Sequence, residues 1–251
     1  MSYDSRRIRR SGLAALGTAA IALFLFTTVA SGREQGLGGV EHFACYTVNL
    51  DGFDETEFEF SNQFGRGRGT ITAPDILCAP ARKNTESIQN RKSHLMCYQL
   101  RFDGEFEKLR VSIKNQWGSD QRFTVLDPRT MCLPAAKSRL KMPSSPATTP
   151  SHFTCFAIEP LKPFKTQTIT MADQFEKTKG TAYRAARLCA PTQKNDSKIL
   201  NSRVHLLCYL FKSATKVHPK IFVRDQFEKL TGTLGGRMQF CVPSLKKVLR
   251  S

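Results

Sequence analysis

His205-Leu206-Leu207-Cys208-Tyr209, then Ile221-Phe222-Val223-Arg224-Asp225-Gln226-Phe227, then Cys241-Val242-Pro243 is the stretch that decides the fold. Ile221, Val223, Asp225 and Phe227 alternate with Phe222, Arg224 and Gln226, and period two over this length argues for a strand. In the first segment Leu206 and Cys208 share one face of a strand, while His205, Leu207 and Tyr209 share the other.

The same phrase occurs three more times. The first copy runs from His42-Phe43-Ala44-Cys45-Tyr46 through Asn62-Gln63-Phe64 to Cys78-Ala79-Pro80. The second runs from His94-Leu95-Met96-Cys97-Tyr98 through Asn115-Gln116-Trp117 to Cys132-Leu133-Pro134, with Val111, Ile113 and Asn115 again in alternation. The third runs from His152-Phe153-Thr154-Cys155-Phe156 through Asp173-Gln174-Phe175 to Cys189-Ala190-Pro191. Copies one and three share Leu-Cys-Ala-Pro-x-x-Lys-Asn; copies two and four keep only Cys-x-Pro-x-x-Lys, so the unit is an A–B pair present twice. Helical periodicity is absent outside the N-terminus, with short turns at best near Glu105–Leu109 and Leu245–Arg250. The expected architecture is all-β: two tandem disulfide-stapled sandwich or barrel domains, 41–140 and 151–248, each an internally duplicated A–B pair. The join is 141–150, Lys-Met-Pro-Ser-Ser-Pro-Ala-Thr-Thr-Pro, whose prolines make a semi-stiff linker.

Residues 1–30 read as a secretory signal: Arg6, Arg7, Arg9 and Arg10 precede an uncharged stretch from Leu13 to Ala30, which ends in Thr28-Val29-Ala30. The alternative is an uncleaved N-terminal membrane anchor. Residues 31–40 read as a flexible lead-in. The destination is secreted or periplasmic, where an even set of eight cysteines implies disulfides. Near-constant spacing within copies favours Cys45–Cys78, Cys97–Cys132, Cys155–Cys189 and Cys208–Cys241. The rival exchanges partners, as Cys45–Cys132 with Cys78–Cys97. Structural zinc competes, since His-x-x-Cys recurs, but strand geometry sends the two side chains to opposite faces.

Each remaining polar position of the phrase has a structural reading. His42, His94, His152 and His205 fix strand starts by side-chain hydrogen bonds, the sharper alternative being a metal or pH-switch site. Asn62, Asn115, Asp173 and Asp225 cap strand ends as Asx turns, with calcium as the alternative for the two Asp. No catalytic residue and no cofactor is expected, because nearly everything distinctive is repeated fourfold and no nucleophile elbow, phosphate loop or metalloprotease motif is present.

The chain carries 38 basic and 21 acidic residues, net +17, of which the first 30 residues carry +3 and the remainder +14. Basic stretches such as Arg66-Gly67-Arg68, Arg91-Lys92 and Lys137–Lys141 read as solvated rims, with no stacking aromatics at a nucleic-acid motif's spacing. Such a charge attracts polyanions without naming one.

The combined phrase, His-[Phe/Leu]-x-Cys-Tyr, [Asp/Asn]-Gln-Phe and Leu-Cys-x-Pro-x-x-Lys, resembles a repeat of uncharacterised secreted bacterial proteins, a domain of unknown function, over residues 42–247. The chain departs from that pattern at Trp117, at Phe156 and at the Gln-Phe-Glu of 174–176 and 226–228. The resemblance implies an exported bacterial protein with no activity to carry over. The expectation is therefore a non-enzymatic exported repeat protein with a structural or binding role. A module for anionic polysaccharide or another envelope polymer is the alternative, and a secreted hydrolase the third reading.

Overall fold

A computed structural model describes residues 37–213 and 218–249. The signal segment lies outside the described residues, as does most of the lead-in. The part of the lead-in that is described is packed down: Leu37–Gly39 forms a 3-10 turn, Val40 is buried, and Asn201 Nδ2 donates to Gly38 O at 2.8 Å.

The all-β reading holds. Each copy supplies one strand with the His-x-x-Cys segment: β1 (Phe43–Asp51), β5 (His94–Phe102), β8 (His152–Pro160) and β11 (Val204–Ser213). Each supplies a shorter strand: β2 (Thr56–Asn62), β6 (Leu109–Asn115), β9 (Gln167–Ala172) and β12 (Lys220–Arg224). Each ends in a long strand that first completes a hairpin and then carries Cys-x-Pro: β3 (Gly65–Pro80), β7 (Gly118–Ser138), β10 (Lys177–Lys194) and β13 (Lys229–Val248). A two-residue β4 (Arg82–Lys83) follows β3. Leu245 to Val248, a candidate helical turn in the sequence, instead extends β13 against β6.

The ladders run β1–β3–β5–β7–β8–β10–β11–β13 and return to β1, antiparallel at every step. Eight strands therefore close one barrel, with the four copies in cyclic order. The expected pair of tandem domains is not how the chain pairs: β7 ladders onto β8 across the Pro-rich join, β13 ladders onto β1, and 33–251 is one compact unit. The physical reason is that two A–B halves with four barrel strands each would leave open edges, which closing on each other removes.

Each disulfide joins neighbouring strands within one copy: Cys45–Cys78, Cys97–Cys132, Cys155–Cys189 and Cys208–Cys241, with Cα–Cα separations of 3.8–4.0 Å. All eight sulfurs face the lumen, and bonds of adjacent copies touch. Cys45 Sγ lies 3.7 Å from Cys241 Sγ, Cys132 Sγ 3.7 Å from Cys155 Sγ, and Cys189 Sγ 4.0 Å from Cys208 Sγ. Two residues before each first cysteine, Phe43, Leu95, Phe153 and Leu206 form an apolar layer in the same cluster. The residual cavity is about 10 Å³, too small for a bound molecule.

The outer face of the barrel is buried as well. Tyr46, Tyr98, Phe156 and Tyr209 point outward and are covered by the four hairpins, whose Phe58, Phe60, Ile113, Ile169, Met171, Ile221 and Val223 join one continuous core with them. Barrel strands that the sequence marks as one-sided are thus covered on both sides. A hairpin leaves the barrel where its long strand bends. At that bend in β3 stands Gly69, where a Cβ would meet Arg101 O at 2.7 Å, so only glycine lets β5 approach. Hairpins also reach across the ring. β2 pairs with the end of β10 and β9 with β4, linking copies one and three; β6 pairs with the end of β13 and β12 with the end of β7, linking copies two and four. The Lys-Asn shared by the odd copies serves this exchange. Asn84 and Asn195 adopt left-handed φ of 52° and 48°, and their Oδ1 atoms accept from Thr170 N and Glu59 N on the opposite hairpins.

Candidate functional site

The recurring polar residues meet between copies. In every copy Oδ1 of the Asx residue accepts from the backbone N–H two residues on: Asn62 from Phe64, Asn115 from Trp117, Asp173 from Phe175 and Asp225 from Phe227. The second polar atom of the Asx group reaches the copy across the ring. Asp173 Oδ2 accepts from the Tyr46 hydroxyl at 2.5 Å, and Asp225 Oδ2 accepts from the Tyr98 hydroxyl. Asn115 Nδ2 donates to the Tyr209 hydroxyl and to Ser244 Oγ, both at 3.1 Å. Asn62 faces Phe156, which has no hydroxyl, and donates instead to Thr192 Oγ1 at 3.3 Å. Burial first, then the adjacent carboxylate, pushes the Tyr46 and Tyr98 hydroxyls far above the usual range, so both stay protonated donors.

The glutamine after each Asx reaches a different copy. Gln116 and Gln174 contact the Nε2 atoms of His42 and His94, and Gln226 serves His152. Gln63 donates to Ser202 O beside His205. The other ring nitrogen separates the A and B copies. Nδ1 of His42 and His152 faces the side chains of Glu86 and Ser197, both at 3.4 Å, whereas Nδ1 of His94 and His205 faces the carbonyls of Lys92 and Arg203. Burial, then a nearby lysine, lowers His42 to about 3 and His94, His152 and His205 to about 4, so all four imidazoles are neutral at pH 7.

The lysines of Cys-x-Pro-x-x-Lys close the same locks. Lys137 Nζ sits 4.2 Å over Phe175, Lys194 Nζ 4.5 Å over Phe227, and Lys246 Nζ 4.5 Å over Phe64. Burial draws Lys137 down to about 8. Lys83 instead bonds Glu86 at 2.5 Å. Their fourfold recurrence after Cys-x-Pro marks these lysines in the sequence, yet only the fold shows that Lys137, Lys194 and Lys246 cover the aromatic of the next copy.

Two features belong to single copies. Arg237, fully buried, pairs with Glu176 at 2.7 Å, lies 3.6 Å from Asp173, and donates to the Tyr46 hydroxyl from Nε at 3.1 Å and Nη2 at 2.5 Å. The barrel register places Pro74, Pro128 and Ala185 where Arg237 stands, so this network occurs once. A cleft of about 270 Å³ opens beside His42, lined by Leu37, Glu86, Lys114, Asn115, Gln116 and Leu245. Glu86 is held by Lys83 and His42, and Gln116 contacts His42, while Lys114 at its edge is exposed.

Exposed basic residues are enriched at one end of the barrel. The connections between copies, 81–93, 139–151 and 195–203, lie at the barrel end where β1, β5, β8 and β11 begin, and the hairpin tips lie against the same end. In the connections Arg82, Arg91, Lys92, Arg139, Lys141, Lys198 and Arg203 are exposed; each tip adds one, as Arg66, Lys114, Lys177 or Lys229. The exposed acids beside them are fewer: Asp196 in a connection, Asp120 next to Lys114, and Glu59, whose N–H is held by Asn195. Contacts bind the segments into one rim: Gln89 and Asn90 N–H donate to Glu41, Gln63 donates to Ser202 O, and Arg224 donates to Pro143 O. At the other end the turns of the first two copies carry Asp54, Glu55, Asp103, Glu105 and Glu107, all exposed.

No family model, curated protein or solved structure matches this chain.

Proposed function

We propose that this protein is a non-enzymatic, extracytoplasmic binding protein: a rigid barrel that presents its basic end to an anionic partner. Four disulfides suit an oxidising compartment. The repeated polar residues are consumed in joining copies, which supports a scaffold role for them rather than catalysis. The observation that carries the reading is the excess of exposed basic residues at the connection end, where those of the connections and hairpin tips outnumber the exposed acids Glu59, Asp120 and Asp196. Clustering raises the local potential well above that of dispersed charge of equal sum. The test is retention of the oxidised protein on immobilised dextran sulfate. Reversing Arg66, Lys114, Lys177 and Lys229 to Glu should lower the eluting salt concentration sharply. Reversing Lys162, Lys165, Lys212 and Lys220, away from that end, should lower it much less. Equal effects from the two sets would refute the reading.

A further inference from the structure

We infer that the anionic partner of the basic end is a lipid bilayer surface, on which the protein sits with this end down. The inference rests on the reading above and narrows it. A soluble polyanion explains the charge but has no use for apolar side chains beside it. Among the described residues, large exposed hydrophobics are few, and three of them are leucines on segments of this end: Leu37, Leu140 and Leu200, at 37%, 89% and 61% exposure. Leu140 stands between Arg139 and Lys141. Leu200 and Leu37 belong to neighbouring segments, since Asn201 Nδ2 holds Gly38 O and the Leu200 N–H donates to Ser151 Oγ at 2.9 Å. Cations that meet headgroups, interleaved with aliphatic side chains that enter the acyl boundary, are the composition of an interfacial binding face. The arginine and lysine stems add apolar surface of their own.

At the far end the turns of the first two copies, with Asp54, Glu55, Asp103, Glu105 and Glu107, would be repelled by anionic headgroups, while Lys162, Lys165, Lys212 and Lys220 of the last two lie away from the leucine-bearing connections.

The test uses the compact unit 33–251, oxidised and freed of the upstream stretch, with vesicles of phosphatidylcholine alone or with about one-third phosphatidylglycerol. We expect co-sedimentation with the anionic vesicles only. Replacing Leu140 and Leu200 by Ser, both exposed positions where folding is not at stake, should weaken that binding roughly tenfold. Retention on dextran sulfate should be unchanged by the same replacements. If the protein is retained on dextran sulfate but ignores anionic vesicles, or if the serine variant binds vesicles as well as the parent, the lipid assignment is overturned and a soluble polyanion takes its place. If neither is bound, the proposed function falls with it.

Discussion

At the scale of the residue, the choice between Asn and Asp in the repeated phrase follows from the partner across the ring. Asp173 and Asp225 face tyrosine donors and stand opposite copies that carry Ala81 and Ala135 three residues after the second cysteine. Asn62 and Asn115 face copies that carry Thr192 and Ser244 at that position, and donate to those hydroxyls. An amide has donors to satisfy and a carboxylate has none. Asp225→Asn should therefore cost about 1–3 kcal/mol, because one N–H of its NH2 group can turn to the Tyr98 hydroxyl, as Asn115 does to Tyr209, but the other faces Ala135 and finds no partner. Adding Ala135→Ser, which copies Ser244, should restore at least half of the loss. Urea unfolding of the two variants decides this, and a double variant no better than the single one refutes the pairing rule.

The histidines set an acid limit. Their folded pKa values, about 3 to 4, lie below the ordinary 6.5, so the unfolded chain binds protons first. Stability is then full above about pH 6.5 and falls as pH drops toward 4. Asp225 and Glu41, whose carboxyls burial pushes up, act in the opposite sense, but they are two groups against four. The urea midpoint should fall steadily across this window, and His205→Gln should reduce the slope. A midpoint independent of pH there would contradict the buried, neutral state of these rings.

At the scale of the element, the barrel strands were legible and their covering was not. Period two around Cys208 separates Leu206 and Cys208 from Leu207 and Tyr209, which the structure places in the lumen and outer clusters respectively. Nothing local says that Tyr209 will be covered by Trp117, 92 residues earlier in the chain, since their packing at 4.7 Å depends on where a hairpin lands. The Lys-Asn signature of the odd copies is visible in sequence, yet its role appears only with the hairpin it grips. Asn84→Ala should cost about 1–2 kcal/mol, from left-handed backbone strain and the lost bond to Thr170. Asn84→Gly should cost less, because it keeps the backbone. Asn195→Ala should match Asn84→Ala and add to it, as the two act on opposite hairpins. Chemical unfolding of the four variants checks the order, and a glycine variant worse than the alanine one would refute the backbone argument.

At the scale of the whole molecule, the repeats announce duplication but not closure. A Pro-rich join of ten residues is equally suited to separating two domains and to spanning two halves of one ring, and composition does not choose between them. Strand pairing does. No disulfide crosses 141–150, so a chain cut by protease between Pro143 and Pro150 is held together by ladders and packing alone. The two fragments should co-elute as one particle without reductant and separate in denaturant. Residues 37–140 produced alone, with β1 and β7 left as open edges, should self-associate or fail to fold cooperatively. Two independent, monomeric, cooperatively folding fragments would refute the single barrel.

The sulfur-lined axis has a chemical consequence as well as a mechanical one. Because Cys241 Sγ lies 3.7 Å from Cys45 Sγ, a thiolate freed at Cys241 already touches the neighbouring bond. Its attack on Cys45 would form Cys241–Cys45 and expel Cys78 as the new thiolate, with no change in the number of disulfides. The Cys132/Cys155 and Cys189/Cys208 contacts offer the same step. Damage to one staple is thus not confined to its own copy: the axis is a relay along which an unpaired thiol can migrate from copy to copy.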